Sequence, residues 1–155
     1  MLGLGICYED GDGVTKDLAK AVKWYRKAAD QGNADAMYAL GMCYQYGKGV
    51  EKNKSEAAKW YRKAADQGNA YAMYALGMCY QYGDGVEKNK SEAAKWYRKA
   101  ADQGNADAMF FLGGCYLNGE GVPEDLSEAI KWFRKAADLG NAKAKELLDM
   151  AGNNI

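Results

Sequence analysis

Residues Met37–Ala72 read MYALGMCYQYGKGVEKNKSEAAKWYRKAADQGNAYA, and residues Met73–Ala108 read MYALGMCYQYGDGVEKNKSEAAKWYRKAADQGNADA. The two segments differ at only two positions, Lys48/Asp84 and Tyr71/Asp107. The same 36-residue step runs through the rest of the chain: cysteines fall at Cys7, Cys43, Cys79 and Cys115, and tryptophans at Trp24, Trp60, Trp96 and Trp132. Of 19 glycines, 16 keep the step, as Gly5, Gly11, Gly13, Gly32 and three further copies of each. Self-similarity at a fixed period of about 20–50 residues marks an architecture of stacked repeats. The chain therefore reads as a solenoid.

One unit, Asn33 to Gly68, contains two helical patterns. At 100° per residue, Ala36, Met37, Leu40, Gly41, Cys43 and Tyr44 fall on one face of the first. Asp35, Tyr38, Ala39, Met42, Gln45 and Tyr46 fall on the other. Only the Tyr44 hydroxyl is polar in the first set, which predicts a buried stripe. Gly47 supplies a stop able to adopt a left-handed conformation. After a short turn, Asn53 opens a second helix, with Glu56 placed for a capping box. Ala57, Trp60, Tyr61, Ala64 and Ala65 then recur at helical spacing, opposite a charged face of Ser55, Glu56, Lys59, Arg62, Lys63 and Asp66. Each unit is a helix–turn–helix whose apolar stripes need neighbouring units for burial.

This places repeats at about 1–32, 33–68, 69–104 and 105–140, in a single domain spanning 1–155. Met1 aligns with Met37, so the chain begins inside a repeat and reads as a fragment. NAKAKELLDMAGNNI repeats the first-helix pattern through Ala144 and Leu148, predicting a closing helix over 141–151. Lys145 and Glu146 stand where Met37 and Tyr38 stand, as suits a helix facing water.

Composition narrows the chemistry. The 155 residues suit one domain. Apolar residues make up 48% and charged residues 27%, a globular rather than disordered balance. Lys plus Arg is 21 and Asp plus Glu is 21, so no basic excess points to nucleic acid or an anionic membrane. No apolar run is long enough to insert into a membrane. Histidine is absent, which removes the commonest general base and metal ligand. Serine occurs only as Ser55, Ser91 and Ser127; without a histidine a Ser-His-Asp arrangement is impossible, and Ser–Lys chemistry would need a desolvated lysine, whereas Lys59 sits on the solvated face. Asp10-Gly11-Asp12-Gly13 and Gly47-Lys48-Gly49 read as turns, not as calcium or phosphate loops. Asn53-Lys54-Ser55 and Asn89-Lys90-Ser91 match glycosylation sequons that helix capping explains. No catalytic residue, metal site or cofactor is expected.

The cysteines lie on the buried stripe one repeat apart. Neighbouring helix axes are about 8–10 Å apart, whereas a disulfide needs Cα atoms within about 7 Å. Free buried thiols are expected, which favours a reducing, cytoplasmic compartment.

The remaining face carries the functional expectation. Tyr38, Met42, Gln45 and Tyr46 are followed one repeat on by Tyr71, Tyr74, Met78, Gln81 and Tyr82, and then by Phe110, Phe111 and Leu117. An aromatic strip that the core does not need is a candidate recognition surface.

The unit ALGMCYQYGKGVEKNKSEAAKWYRKAADQGNA resembles the SEL-one-like repeat (SLR), a relative of the tetratricopeptide repeat (TPR). The elements that carry the likeness are Leu40-Gly41, Tyr44, Gly47-x-Gly49-Val50, Ala57, Trp60-Tyr61, Ala64-Ala65 and Gly68-Asn69-Ala70, and they recur along essentially the whole chain. The resemblance implies an all-α, right-handed α-α superhelix with its first helices lining the concave side. It further implies an adaptor that holds other proteins in assemblies. One bacterial branch of the family, the cysteine-rich secreted proteins, is linked to binding or hydrolysis of β-lactams; that branch carries two cysteines per repeat, and this chain carries one.

The reading is a non-enzymatic, monomeric scaffold that binds a peptide or protein segment along the groove, with end-to-end stacking open at the N-terminus. The alternatives are a β-lactam-binding or hydrolysing enzyme and an engineered consensus array without an evolved ligand.

Overall fold

The computed structural model of the protein describes residues 1–152. Among these, all regular structure is α-helical. First helices of the repeats are α1 (Leu2–Asp10), α3 (Ala34–Tyr46), α5 (Ala70–Tyr82) and α7 (Ala106–Asn118). Second helices are α2 (Leu18–Asp30), α4 (Lys54–Asp66), α6 (Lys90–Asp102) and α8 (Leu126–Asp138), and α9 (Ala142–Gly152) closes the stack. Each first helix packs on its own second helix, which packs in turn on the first helix of the next repeat. The result is an all-α solenoid.

Capping chemistry sets the helix ends. Asn33, Asn69 and Asn105 accept hydrogen bonds from the N–H groups of Ala36, Ala72 and Ala108, each at 2.8 Å. Asn53 and Asn89 do the same for Glu56 and Glu92 at 3.0 Å. Gly47 closes α3 with φ 68°, in the left-handed region, and donates its N–H to the Cys43 carbonyl. The capping box at Asn53 is only half formed. The Asn53 N–H donates to the Tyr44 carbonyl at 2.8 Å, and the Glu56 carboxylate accepts from Lys59 Nζ at 2.8 Å. Glu56 turns outward because the N–H it would have capped is already satisfied.

The predicted stripes are the core, except that Tyr44 is only half-buried and presents its hydroxyl to Arg26. Ala36, Met37, Leu40 and Cys43, together with Ala57, Trp60, Tyr61, Ala64 and Ala65, are buried, as are their copies one repeat on. Within each repeat the helices meet at a glycine: a Cβ at Gly41 would lie 2.5 Å from the Tyr61 ring. Tyr61 and Tyr97 are consequently among the most deeply buried side chains.

Between repeats, the charged-face assignment of Arg62 needs correction. Arg62 donates through Nη2 to the Tyr80 hydroxyl and stacks over the Trp96 ring at 5.0 Å. Arg26 makes the same contacts with Tyr44 and Trp60, and Arg98 with Tyr116 and Trp132. The arginine lies at the edge of the second helix and reaches one repeat forward, where a cation over an indole face is favourable. Ala58 and Ala94, which fall outside the predicted stripe, are also buried.

Cys43, Cys79 and Cys115 are buried, whereas Cys7 is half-buried, so not all four thiols share the environment that the stripe predicts. Burial pushes the three deeper thiols from an ordinary 9.0 up to about 11. Because the fold favours the protonated form, this contribution to stability is complete below about pH 9 and is lost as pH rises through about 11. We expect one thiol to react with an aromatic disulfide reagent ahead of the other three, which react on unfolding. Four equally fast thiols in the native protein would contradict the burial.

Candidate functional site

The faces of α3, α5 and α7 left outside the core carry two clusters of paired aromatic rings. Tyr38 lies 5.8 Å from Tyr61 beneath it and 6.0 Å from Tyr71 in the next repeat, ring centre to ring centre. Tyr74 lies 6.0 Å from Tyr97 and 5.7 Å from Phe111. Phe110 meets Phe111 edge to face at 5.7 Å and Phe133 at 5.6 Å. These separations fall in the favourable range for offset and edge-to-face ring pairs. The pairs Tyr38–Tyr71 and Tyr74–Phe111 each cross a repeat boundary, so the rings form two clusters, one around Tyr38 and one from Tyr74 to Phe110.

Its residues divide by exposure. Tyr46, Tyr71 and Tyr82 are exposed, at 62%, 64% and 57%. Tyr38, Met42, Tyr74, Met78 and Phe110 are half-buried and pack on the core. Burial raises the Tyr38 and Tyr74 hydroxyls, Tyr74 to about 12, and the Asp107 carboxylate adds to the shift at Tyr74. The second group therefore supports the fold as well as facing outward.

Gln45 and Gln81 have a different first duty. Each accepts, through Oε1, a hydrogen bond from the hydroxyl of the buried tyrosine below, Tyr61 and Tyr97 respectively. Glu9 does the same for Tyr25. In the fourth repeat both members change together, to Leu117 and Phe133. A polar pair exchanged as a unit for an apolar pair is what burial demands, since either partner alone would leave an unsatisfied group. One acceptor position of each Oε1 is thereby taken up, while these two bonds leave the amide nitrogens uninvolved.

At the C-terminal end the strip deepens into a depression of about 460 Å³ lined by Tyr74, Met78, Asp107, Phe110, Phe111 and Lys143 among others. The Asp107 Oδ1 accepts from Asn141 Nδ2 at 2.8 Å, and Asp35 accepts from Asn69 in the same way. Asp107 and Lys143 were not among the residues expected at the site. For Asp107 a signal existed, because it is one of the two positions at which the otherwise identical segments differ. Among the described residues, no group of three or more His, Cys, Asp or Glu side chains could hold a metal. No helix there is long and apolar enough to cross a membrane.

The profile of the Sel1 repeat matches four consecutive segments, 1–33, 34–69, 70–105 and 106–141. The chain belongs to the Sel1 repeat family. Among solved structures, it is similar to a protective antigen present in uropathogenic Escherichia coli strains that displays an SLR fold. There the identity is 40% and the TM-score 0.94, over 99% of this chain and 33% of that one. A Sel1 repeat protein from Oxalobacter formigenes is 39% identical with a TM-score of 0.91, over 97% of this chain and 61% of that one. Cysteine rich protein B of Helicobacter pylori is 30% identical with a TM-score of 0.68, over 85% of this chain and 95% of that one. The chain thus spans a third of the first Sel1 relative and about three fifths of the second. No curated protein matches it.

Proposed function

We propose that this Sel1 solenoid is a non-enzymatic scaffold that holds a peptide or protein segment along the strip formed by its first helices. The observation that carries this reading is the pair of aromatic clusters on the first helices, each crossing a repeat boundary, with Tyr46, Tyr71 and Tyr82 exposed on the same helices. Tyrosine and methionine give large contact areas at little entropic cost and are enriched at protein interfaces. Tyr38, Met42, Tyr74, Met78 and Phe110 form the floor. Tyr46, Tyr71 and Tyr82 are the outward anchors, and the amide nitrogens of Gln45 and Gln81 are donors at the edge. The scaffold acts as a monomer; the apolar end around Leu4 and Ile6, 43% and 45% exposed, is the face on which a second copy would stack.

Tyr71 and Tyr82 are the residues with which to test this reading, because substituting half-buried Tyr38 or Tyr74 would disturb ring packing as well as binding. Tyr71→Ala with Tyr82→Ala is expected to leave melting nearly unchanged. It should weaken a partner captured from the source lysate by at least about 2 kcal/mol, roughly thirtyfold. Lys59→Glu, on the outer face, should leave the same affinity intact. Equal losses in both variants would remove the strip from the interface, and failure to capture any partner would favour an array without an evolved ligand. β-Lactam binding or hydrolysis, which the resemblance to the cysteine-rich branch implies, is the second reading, and the likeness to cysteine rich protein B of Helicobacter pylori is one of fold at 30% identity. A chromogenic β-lactam separates the two, and turnover above buffer would overturn the scaffold as the sole activity.

A further inference from the structure

Charge is divided between the two helix layers although the chain as a whole is neutral. The first helices α1, α3, α5 and α7 contain no lysine or arginine, and their charged residues are Glu9, Asp10, Asp35 and Asp107. The second helices each carry three or four lysines and arginines. Three of those arginines are turned into the repeat junctions by their tyrosine and tryptophan partners. The charged side chains that the first helices contribute are therefore all carboxylates, with none on α5, and Asp35 and Asp107 are the ones on the helices that carry the strip.

Resting on the scaffold reading above, we infer that the segment held in this strip is basic, with a lysine or arginine side chain seated in the depression between Tyr74, Phe110 and Asp107. The depression has the two parts that such a side chain needs. Met78, Phe110 and Phe111 offer an apolar wall for the aliphatic stem. The Tyr74 ring and the Asp107 carboxylate offer a π-face and a negative charge for the head. Asn141 holds Asp107 through one oxygen, which orients the carboxylate while adding no positive charge to compete for it. An acidic segment would meet Asp107 and the negative faces of the rings, and both repel it. Lys143 of the closing helix is the one cation on the rim. It is expected to oppose the ligand, so removing its charge should tighten binding.

The test uses the intact protein, immobilised and exposed to a random peptide library. The pool it retains should be enriched in lysine and arginine. A fluorescent peptide from that pool should bind about tenfold more weakly to Asp107→Asn, the loss expected of a charge-assisted hydrogen bond. It should bind more weakly still to Asp107→Lys, more tightly to Lys143→Glu, and less well as salt rises. Melting curves of each variant separate lost contacts from lost fold. A retained pool without basic enrichment, yet released by Tyr71→Ala with Tyr82→Ala, would overturn the basic ligand and leave the scaffold standing. Basic enrichment that persists unchanged in Asp107→Lys would overturn the seat at Asp107. No retained pool at all would remove the scaffold reading, and this inference with it.

Discussion

Trp96→Ala is expected to destabilise the protein by about 3–5 kcal/mol, the range for deleting a large aromatic side chain from a core. Trp96 is 3% exposed and lies beneath Arg62 of the preceding repeat's second helix. Its loss also leaves Arg62, now 5.0 Å above the ring, without its stacking partner. Trp24 occupies the equivalent position in the first repeat, but no arginine from another repeat lies over it and it is only half-buried. Trp24→Ala should therefore cost clearly less than Trp96→Ala. Lys59→Ala should stay within about 0.5 kcal/mol, since that side chain is 65% exposed and pairs only with Glu56 in its own helix. Urea melts of the three variants check the order. A loss at Trp24 as large as at Trp96 would mean that the junction adds nothing to the tryptophan's role.

Gly85→Ala carries the second large effect and isolates the junction by a different route. Gly85 has φ 74°, and a Cβ there would lie 2.1 Å from the carbonyl oxygen of Lys54, at the start of the preceding repeat's second helix. Two penalties combine. The left-handed backbone costs an alanine about 1–2 kcal/mol. Pushing a helix terminus away from the turn costs about 1–3 kcal/mol or more. The expected loss is about 2–5 kcal/mol. Gly13 supplies the control: it has nearly the same backbone angle, φ 71°, but nothing lies within 4 Å of its Cβ position. Gly13→Ala should show the conformational penalty alone. If the two variants melt together, the clash at Lys54 is absorbed by a small shift and the repeats are less tightly coupled than their contacts imply.

The aromatic strip was legible as far as a single helix could show it. Helical periodicity separates Leu40 and Cys43 from Tyr38 and Met42, because a core stripe must be free of polar groups. Periodicity gives only direction around an axis, however. It does not show that the Tyr61 ring rises under Tyr38, or that the Tyr61 hydroxyl takes up one end of Gln45. Asp107 became part of the site only when α9 brought Asn141 and Lys143 beside it.

By itself, the sequence determined the repeat, its length, the two helices of each unit, the capping asparagines and the glycine stops. All of these depend on residues within about four positions of one another, or on the recurrence of the whole pattern. It also determined the division of charge between the helix layers. Only the tertiary structure decided which copies of a residue do the same work. Leu4 and Leu40 occupy the same place in their repeats, yet one is 43% exposed and the other fully buried. Gly13 and Gly49 share a turn conformation, but only Gly49 meets a neighbouring helix. Arg62 looks solvated from its own helix and becomes a clamp once Tyr80 and Trp96 stand opposite. The physical reason is that burial and pairing belong to a residue together with the repeat stacked against it, so a periodic sequence has a non-periodic environment.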